Sequence, residues 1–268
     1  SIPFTWTHDS TSPTMTITCS EVVNNSTTSN ATLSLTFTSS EATTTFASDD
    51  ISATNGSISA FTTVSPTVYT ATFTPTADGV CTIDVNAGKY TDSGNNNNLA
   101  ATQFSWTSDT TSPTMTITAT NGTDAVASGA TTLDTSLLVT FTSTEPPIGL
   151  DITDIVVNNG TLTNFAIVPS SSPVAYRATF TPISNGVCTI DVPANSYVDA
   201  VGNGNLVATQ YTWTTNFIGP KIIITSTEVA SGVSSSDATL SLVFTSDDVT
   251  TDFAESDITL TNGTLSNF

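Results

Sequence analysis

Short stretches along the chain alternate apolar and polar residues, with an apolar side chain at every second position. The stretch MTITC (15–19) shows this pattern, and so do LSLTF (33–37), VCTIDV (80–85) and FSW (104–106). Alternation with a period of two is typical of β-strands that bury one face. We therefore expect about seven short strands per 100 residues, with the apolar positions facing a core and no long helix.

One Asn-Gly pair separates two short predicted strands within the stretch TNGSISAF (54–61). Asn-Gly is the strongest short-range signal for a β-hairpin, because both residues accept the positive φ angles of a tight turn. The sequence therefore predicts a hairpin at Asn55–Gly56. Equivalent pairs at Asn159–Gly160 and Asn262–Gly263 predict the same turn in later parts of the chain.

The whole pattern repeats with a period close to 100 residues. Two sets of landmarks keep the same spacing, 100 residues and then 107: Trp6, Trp106 and Trp213, and Pro13, Pro113 and Pro220. The additional residues of the second copy fall near Asn121–Gly122 and Pro169–Pro173, as expected where loops tolerate insertions. This periodicity predicts an all-β chain of tandem immunoglobulin-like antiparallel β-sandwiches.

The landmarks also predict the domain boundaries. We expect residues 1–7 to be the last strand of a preceding Ig-like domain, because IPFTW matches the later strands TQFSW and TQYTW. Residues 8–107 and 108–214 would be complete domains 1 and 2, and 215–268 the first half of domain 3. Strand donation between molecules would supply only one of the missing strands. We therefore interpret the sequence as a window on a longer tandem array.

Composition narrows the class of function. The 268 residues include three basic residues, Lys89, Arg177 and Lys221, against 23 acidic ones, for a net charge of -20. Such a charge repels nucleic acid phosphates and anionic lipid headgroups, and it suits a cation-rich extracellular medium. No apolar run approaches the roughly 18 residues that span a membrane, so we expect no membrane insertion in this segment.

Catalytic chemistry has almost no candidates in the sequence. His8 is the only histidine, and the other copies have Ser108 and Thr215 at its position. A general base needs a positioned partner in a pocket. The sequence also contains no Gly-rich phosphate loop, no His/Cys metal cluster and no nucleophile elbow. We therefore expect that the protein is not an enzyme.

A longer phrase carries a resemblance to a known family. ESDITLTNGTLSNF (255–268), followed in the complete copies by YTATFTP, TIDV and YTDSGNNN, resembles the Ig-like repeats of giant bacterial surface adhesins and of large secreted filament proteins. The resemblance implies an extracellular stalk or filament segment at the cell surface, whose role is extension and the presentation of what the stalk carries. Its partners would be neighbouring repeats of the same longer chain and, in a fibre, identical chains.

The alternative function is a carbohydrate- or surface-binding Ig-like module. Such a module needs a cluster of exposed aromatic side chains in one loop region. Trp6, Trp106 and Trp213 lie instead at a repeated strand position, where we expect packing in a core or at a junction. For Trp106 and Trp213 we expect indoles buried at the end of the last strand, near the next domain. Their exposure therefore distinguishes the two functions.

The three cysteines allow two arrangements in the first domain. Cys19 and Cys81 could form a disulfide that closes a loop of 62 residues, or all three cysteines could be core thiols. In the second domain Cys188 faces Ala119, which stands at the position of Cys19. We therefore expect Cys188 to be unpaired.

Several Asn-x-Ser/Thr triplets could accept glycans in a eukaryotic source. They begin at Asn24, Asn25, Asn30, Asn55, Asn121, Asn159 and Asn262. Asn-Gly turns followed by Ser or Thr explain three of them without glycosylation. The sequence leaves both interpretations open.

Acidic residues should gather at one end of each domain, because successive strands alternate in direction. The leading linker and the loops after the second and sixth predicted strands then share one pole, opposite the triplets above. The residues are Asp9, Glu41, Asp50 and Asp92 in the first domain, and Asp109, Glu145, Asp154 and Asp199 in the second. Like charges repel unless a cation neutralises them, and Ca²⁺ takes six to eight oxygen ligands. We predict Ca²⁺ at the domain junctions, with a solvated acidic end as the alternative; the third copy has Asn216 in place of the linker Asp.

Overall fold

The computed structural model describes residues 2–268. Two complete two-sheet sandwiches are followed by a single two-stranded sheet. The only helical elements in the described part are three single turns of 3₁₀ helix, at equivalent places in the repeats: Ser48–Asp50, Ile152–Asp154 and Glu255–Asp257. The predicted architecture of tandem all-β sandwiches is confirmed.

The first sandwich contains eight strands. They are β1 (Met15–Cys19), β2 (Thr27–Thr28), β3 (Leu33–Ser39), β4 (Ile51–Thr54), β5 (Gly56–Ser65), β6 (Val68–Pro75), β7 (Gly79–Val85) and β8 (Phe104–Ser108). One sheet has the order β1-β3-β6-β5, and the other has the order β2-β8-β7-β4. All neighbours are antiparallel except β2 and β8, which run parallel.

The second sandwich repeats this topology and adds one short edge strand. Its strands are β9 (Met115–Thr120), β10 (Ala125–Val126), β11 (Thr131–Thr132), β12 (Leu137–Ser143), β13 (Val156–Asn158), β14 (Gly160–Ile167), β15 (Ala175–Pro182), β16 (Gly186–Asp191) and β17 (Tyr211–Thr215). The sheets have the orders β10-β9-β12-β15-β14 and β11-β17-β16-β13. The strand count exceeds the prediction because β2, β10 and β11 have two residues each, too few to show alternation.

The parallel pair joins the beginning of each domain to its end. In the first domain the hydrogen bonds run from Asn25 N to Ser105 O (2.7 Å), from Thr107 N to Ser26 O (2.9 Å) and from Asp109 N to Thr28 O (3.0 Å). In the second domain they run from Gly129 N to Thr212 O (2.6 Å), from Thr214 N to Ala130 O (2.8 Å) and from Asn216 N to Thr132 O (3.0 Å). The last strand is therefore fixed to a segment near the start of its own domain.

The alternating positions fill the space between the sheets. The inward positions of two strands are buried as predicted, and so are Phe104 and both strand tryptophans. These positions are Leu33, Leu35 and Phe37 in β3, and Cys81, Ile83 and Val85 in β7. Trp106 and Trp213 are each 1% exposed. Trp106 meets the ring of Phe73 edge-on with centroids 4.8 Å apart, and Trp213 meets Phe180 at 4.6 Å. Each indole is the middle residue of its strand. It therefore packs between the two sheets of its own sandwich rather than at the end of the domain.

The predicted hairpin at Asn55–Gly56 is wrong. Strand β4 pairs with β7 whereas β5 pairs with β6, so the chain crosses from one sheet to the other at this pair. Asn55 has a φ of 54°, in the left-handed region that Asn tolerates. A Cβ on Gly56 would lie 2.1 Å from Cζ of Phe73, so the close approach of that ring requires glycine. The same crossing occurs at Asn159–Gly160.

The first residues and the third repeat differ from the complete sandwiches. Residues 1–7 are predicted as the last strand of a preceding domain. Ser1 lies outside the described residues, whereas residues 2–7 form no regular strand and Trp6 is 73% exposed. In the third repeat β18 (Ile222–Ser226) pairs antiparallel with β19 (Leu242–Ser246). This pair corresponds to β1 and β3 of the first sandwich.

Candidate functional site

Two groups of three carboxylates occupy equivalent places in the two sandwiches. In the first group, Asp9, Glu41 and Asp92 each offer an oxygen atom that lies within 4.8 Å of the other two. In the second group, Asp109, Glu145 and Asp199 are arranged within the same distance. Each group combines the leading linker with two loops, which follow β3 and β7 in the first domain and β12 and β16 in the second. Residues distant in sequence therefore meet at one pole.

A buried asparagine fixes the loop that carries Asp92. The Oδ1 atom of Asn98 accepts the backbone N–H groups of Lys89 (2.7 Å) and Tyr90 (3.0 Å). Its Nδ2 atom donates to two carbonyl groups of the same loop. The hydroxyl of the buried Tyr90 also bonds with Ser39 Oγ (3.3 Å) at the end of β3. The loop is therefore ordered by buried hydrogen bonds.

The second domain builds its loop in the same way. Asn205 is buried, and its Oδ1 atom accepts the N–H of Tyr197 (2.9 Å). The Tyr197 hydroxyl bonds with Ser143 Oγ at 3.0 Å. The repeated arrangement holds Asp199 beside the other two carboxylates of its group. Sequence reasoning missed Asn98 and Asn205, although their spacing of 107 residues equals that of the tryptophan landmarks.

Another asparagine links the buried aspartate of each group to the linker. The backbone N–H of Asn96 donates to Asp92 Oδ1 (2.8 Å), and its Nδ2 atom donates to Asp92 Oδ2 (3.0 Å) and to the carbonyl of Asp9 (3.4 Å). Asn203 makes the same bonds to Asp199 and to the carbonyl of Asp109. The linker backbone is thereby fixed against the domain that it leads into.

The carboxylates within the first group have pKa values shifted in opposite directions. Burial, followed by repulsion from Asp9 and Asp92, raises the pKa of Glu41. Burial also acts to raise the pKa of Asp92, but the hydrogen bonds from Asn96 and the loop backbone outweigh it, and the pKa of Asp92 is lowered. The first group therefore combines a buried aspartate, whose negative charge is stabilised by hydrogen-bond donors, with a glutamate whose charge is disfavoured by burial and by its neighbours.

The second group shows the same pattern with one further charge. Burial, then Asp109, Asp199 and Asp78 in that order, raise the pKa of Glu145. Asp78 belongs to the first domain, in the turn between β6 and β7. The acidic pole of the second domain thus faces a carboxylate of the domain before it, as the sequence predicts for a junction.

Asp50 and Asp154 lie outside both groups. Their carboxylates bind backbone at the start of the 3₁₀ turns instead: Asp50 Oδ2 accepts Ala47 N (2.9 Å) and Asp154 Oδ2 accepts Asp151 N (2.7 Å). A donor three residues away satisfies each side chain. The structure therefore brings together six of the eight predicted carboxylates, as two sets of three.

All three cysteines are free thiols, so the first domain contains no Cys19–Cys81 bridge. The two residues belong to different sheets and have different partners. Cys19 Sγ donates to Glu21 Oε2 (3.0 Å) at the edge of its sheet, whereas the buried Cys81 Sγ contacts the carbonyl of Asn55 (3.7 Å). Cys188 is buried and unpaired, as predicted, and burial raises the pKa of its thiol.

The asparagines of the candidate glycosylation triplets differ in their freedom. The amide nitrogens of Asn55 and Asn159 each donate to a backbone carbonyl at 2.9 Å. The Oδ1 atoms of Asn24 and Asn25 bind Ser105, in β8. The exposed members are Asn24, Asn25, Asn30, Asn121 and Asn262. Glycosylation at these positions stays a prediction.

A polar contact that sequence reasoning missed joins each domain to the linker that follows it. Asp78 Oδ1 accepts the backbone N–H of Thr110 (2.7 Å) and its hydroxyl (2.8 Å), and Asp78 Oδ2 accepts the hydroxyl of Thr111. These bonds, led by the one from Thr111, lower the pKa of Asp78. We name this contact the exit clamp.

The exit clamp recurs after the second domain with different chemistry. Asn185 stands at the position of Asp78, 107 residues later, and also precedes a glycine. Its Oδ1 atom accepts the N–H of Ile218 (2.9 Å), and its Nδ2 atom donates to Asn216 Oδ1 (2.8 Å) and Ile218 O (3.0 Å). The equal spacing and the shared glycine are the signal that could have revealed it.

Two further surface features of the described residues are an exposed histidine and an open groove. His8 is exposed, and its ring lies beside Trp6 with centroids 5.9 Å apart. An open, mostly apolar groove of about 490 Å³ follows the edge of the second sandwich between β9 and β17. Within residues 2–268, no helix is long and apolar enough to cross a membrane.

Two stacked sheets with a parallel contact between an early strand and the last strand define each unit as an immunoglobulin-like sandwich. Residues 9–107 and 109–215 each match the family model of the bacterial Ig-like domain. The chain therefore belongs to the bacterial Ig-like domain family and carries two tandem copies. No curated protein matches it.

Several solved structures of bacterial surface proteins are similar at low identity. The Escherichia coli adhesin FdeC is 15% identical with a TM-score of 0.39, over 73% of this chain and 64% of that chain. Invasin, a bacterial integrin-binding protein, is 16% identical with a TM-score of 0.40, over 78% and 40%. InvD of Yersinia pseudotuberculosis is 16% identical with a TM-score of 0.32, over 87% and 68%. The chain thus spans less than two thirds of the FdeC and invasin structures.

Proposed function

We propose that the protein is an adhesin-type extracellular stalk or filament segment at the cell surface, whose tandem Ig-like domains extend and present what they carry. The observation that carries this proposal is the path of the chain through each sandwich. Strand β7 ends next to the loop of Asp92, at the acidic pole, and starts at the other end of the domain. Since Gly79 of β7 pairs with Ser108 of β8, the chain leaves the domain opposite the pole where it enters.

A domain that is entered and left at opposite poles places the next domain in series with it. The longest strand, β5, has ten residues. At 3.3 Å per residue and with the loops added, each domain provides roughly 35–45 Å of reach. The buried positions of Trp106 and Trp213 also support a spacer, because indoles packed in a core cannot bind a glycan. Partners on this proposal are neighbouring repeats and, in a fibre, identical chains; no catalytic role is proposed.

Small-angle scattering and glycan binding together test the stalk function. We expect an elongated particle, in which the two complete domains alone contribute roughly 70–90 Å of length. We expect no saturable binding to immobilised polysaccharides. A compact particle in which the domains fold back on each other would contradict the stalk, and saturable glycan binding would favour the binding module.

We further propose that each group of three carboxylates binds a divalent cation, for which Ca²⁺ is the best match. Three carboxylates carry six oxygen atoms, and Ca²⁺ takes six to eight oxygen ligands in flexible geometry. A bound cation would offset the repulsion that raises the pKa values of Glu41 and Glu145. The support is that two domains with different loop lengths arrange the same three carboxylates in the same way.

Calcium titration with a matched pair of variants tests this proposal. At a Ca²⁺ concentration 100 times the dissociation constant, binding adds about 2.7 kcal/mol to the free energy of unfolding of the occupied domain. We expect Glu145→Gln to abolish the Ca²⁺-dependent rise in the unfolding temperature of the second domain. Asp124→Asn removes an exposed charge outside both groups and should keep the rise. Identical unfolding curves in chelator and in millimolar Ca²⁺ would exclude the sites.

A further inference from the structure

Hydrogen bonds from both neighbouring domains fix the linker between the two sandwiches. From the first domain, Asp78 binds Thr110 and Thr111 through the exit clamp. From the second domain, Asn203 Nδ2 donates to the carbonyl of Asp109 (3.0 Å). The backbone N–H of Leu206 donates to the carbonyl of Pro113 (2.9 Å). The linker therefore has contacts along its length that a flexible tether would lack.

A direct bond between the domains lies next to this linker. Ser29 Oγ, in the first domain, donates to the carbonyl of Val201 in the second at 2.9 Å. Val201 belongs to the loop that also carries Asp199. The two domains thus meet at the acidic pole of the second domain, beside the linker that the exit clamp binds.

The two clamps match their linkers in hydrogen-bonding type. Asp78 is an acceptor, and all three groups that face it are donors. Asn185 has a donor and an acceptor, and it faces two acceptor oxygens and one N–H. An ionised carboxylate at position 185 would instead place an acceptor against the carbonyl oxygen of Ile218, which has no proton to share. The residue type at each position is therefore complementary to its own linker.

We propose that Asp78 and Asn185 are positioning residues that fix the direction and the stiffness of the junction following each domain. This inference rests on the proposed stalk function, because stiffness between domains matters for a protein that extends. It assigns the stiffness of each junction to one side chain, which acts through the backbone and side-chain groups of the linker that it binds.

Distance measurements by pulsed electron paramagnetic resonance on the full chain test the inference. Spin labels are attached to the exposed positions Ser52→Cys in β4 and Val156→Cys in β13. Cys19→Ala removes the partly exposed native thiol, and alanine already stands at the equivalent position 119 of the second domain. Cys81 and Cys188 can stay, because both are buried. We expect one narrow distance distribution for this labelled chain with an intact clamp.

Variants at the clamp should separate a positioning role from a merely structural one. We expect Asp78→Ala to replace the narrow peak with a broad distribution, and Asp78→Asn, which keeps an acceptor, to restore most of it. Asn185→Ala belongs to the other junction and should leave this distribution unchanged. Circular dichroism should show that the Asp78 variants keep their folded sandwiches, because Asp78 is exposed and its side-chain hydrogen bonds go to the linker. The same measurement checks the folding of the Asn185 variants.

Two contrary results have different meanings. A distribution for Asp78→Ala as narrow as that of the intact clamp would overturn the positioning role and leave the stalk function standing. A broad distribution with the clamp intact would contradict the stiff stalk itself. For a second pair of spin labels, placed across the junction after the second domain, Asn185→Asp should broaden the distance distribution. An unchanged distribution there would overturn the proposed donor–acceptor match.

Discussion

Replacing Trp106 with alanine is expected to lower the free energy of unfolding of the first domain by about 3–5 kcal/mol. The indole is 1% exposed and packs edge-on against Phe73, so its removal leaves a cavity between the two sheets. Domains of this size are typically stable by only about 5–15 kcal/mol, so the variant should be partly unfolded under mild denaturing conditions. The second domain should keep its stability.

The buried thiols report on each domain separately. Cys81 and Cys188 are inaccessible in the folded domains, so the urea concentration at which each becomes alkylated measures the unfolding of its own sandwich. We expect Trp106→Ala to shift the labelling of Cys81 to lower urea without moving that of Cys188. Trp6→Ala is the matched control, because Trp6 is 73% exposed and its loss should change neither midpoint. Equal midpoints for both variants would show that the indole contributes little to the core.

Gly160→Ala is expected to destabilise the second domain by about 3 kcal/mol, at the upper end of the usual range for overpacking. The new Cβ would lie 2.0 Å from Cζ of Phe180. That ring cannot move away easily, since it is fully buried and meets Trp213 edge-on with centroids 4.6 Å apart. Either the ring or the crossing between the sheets must shift.

Gly219→Ala is the control for this substitution. A Cβ on Gly219 would meet no atom within 4 Å, and its φ lies outside the left-handed region. We expect its effect to be within about 0.5 kcal/mol of zero. Alkylation of Cys188 in urea measures both variants. If Gly160→Ala proved as stable as Gly219→Ala, the close approach of Phe180 would not be what requires glycine at the crossing.

The sequence predicts the sandwiches well because burial of one strand face leaves a direct trace in the alternation. Leu33, Leu35 and Phe37 are all buried for this reason. The Asn-Gly prediction fails because its signal is local. A hairpin and a crossing between sheets both need a positive φ at Asn55, and only the pairing of the following strand with β6 distinguishes them.

The acidic groups were partly predictable from strand direction alone. Alternating strands place Asp9, Glu41 and Asp92 at one pole whatever the details of the loops. The same reasoning includes Asp50 and Asp154, but a carboxylate next to a free backbone N–H three residues away binds that donor instead. The choice between a local donor and a distant group depends on loop geometry, which a pattern of residue types does not contain.

The parallel contact between β2 and β8 determines how a domain bears mechanical tension. Segments 25–28 and 105–109 run in the same direction, so pulling the two ends of the domain apart slides one segment along the other. The three backbone hydrogen bonds between them then carry the load together rather than breaking one after another. The second domain repeats this geometry between segments 129–132 and 212–216. Tension that reaches these segments would therefore load the contact in shear, so that the last strand of each sandwich could not peel away one hydrogen bond at a time.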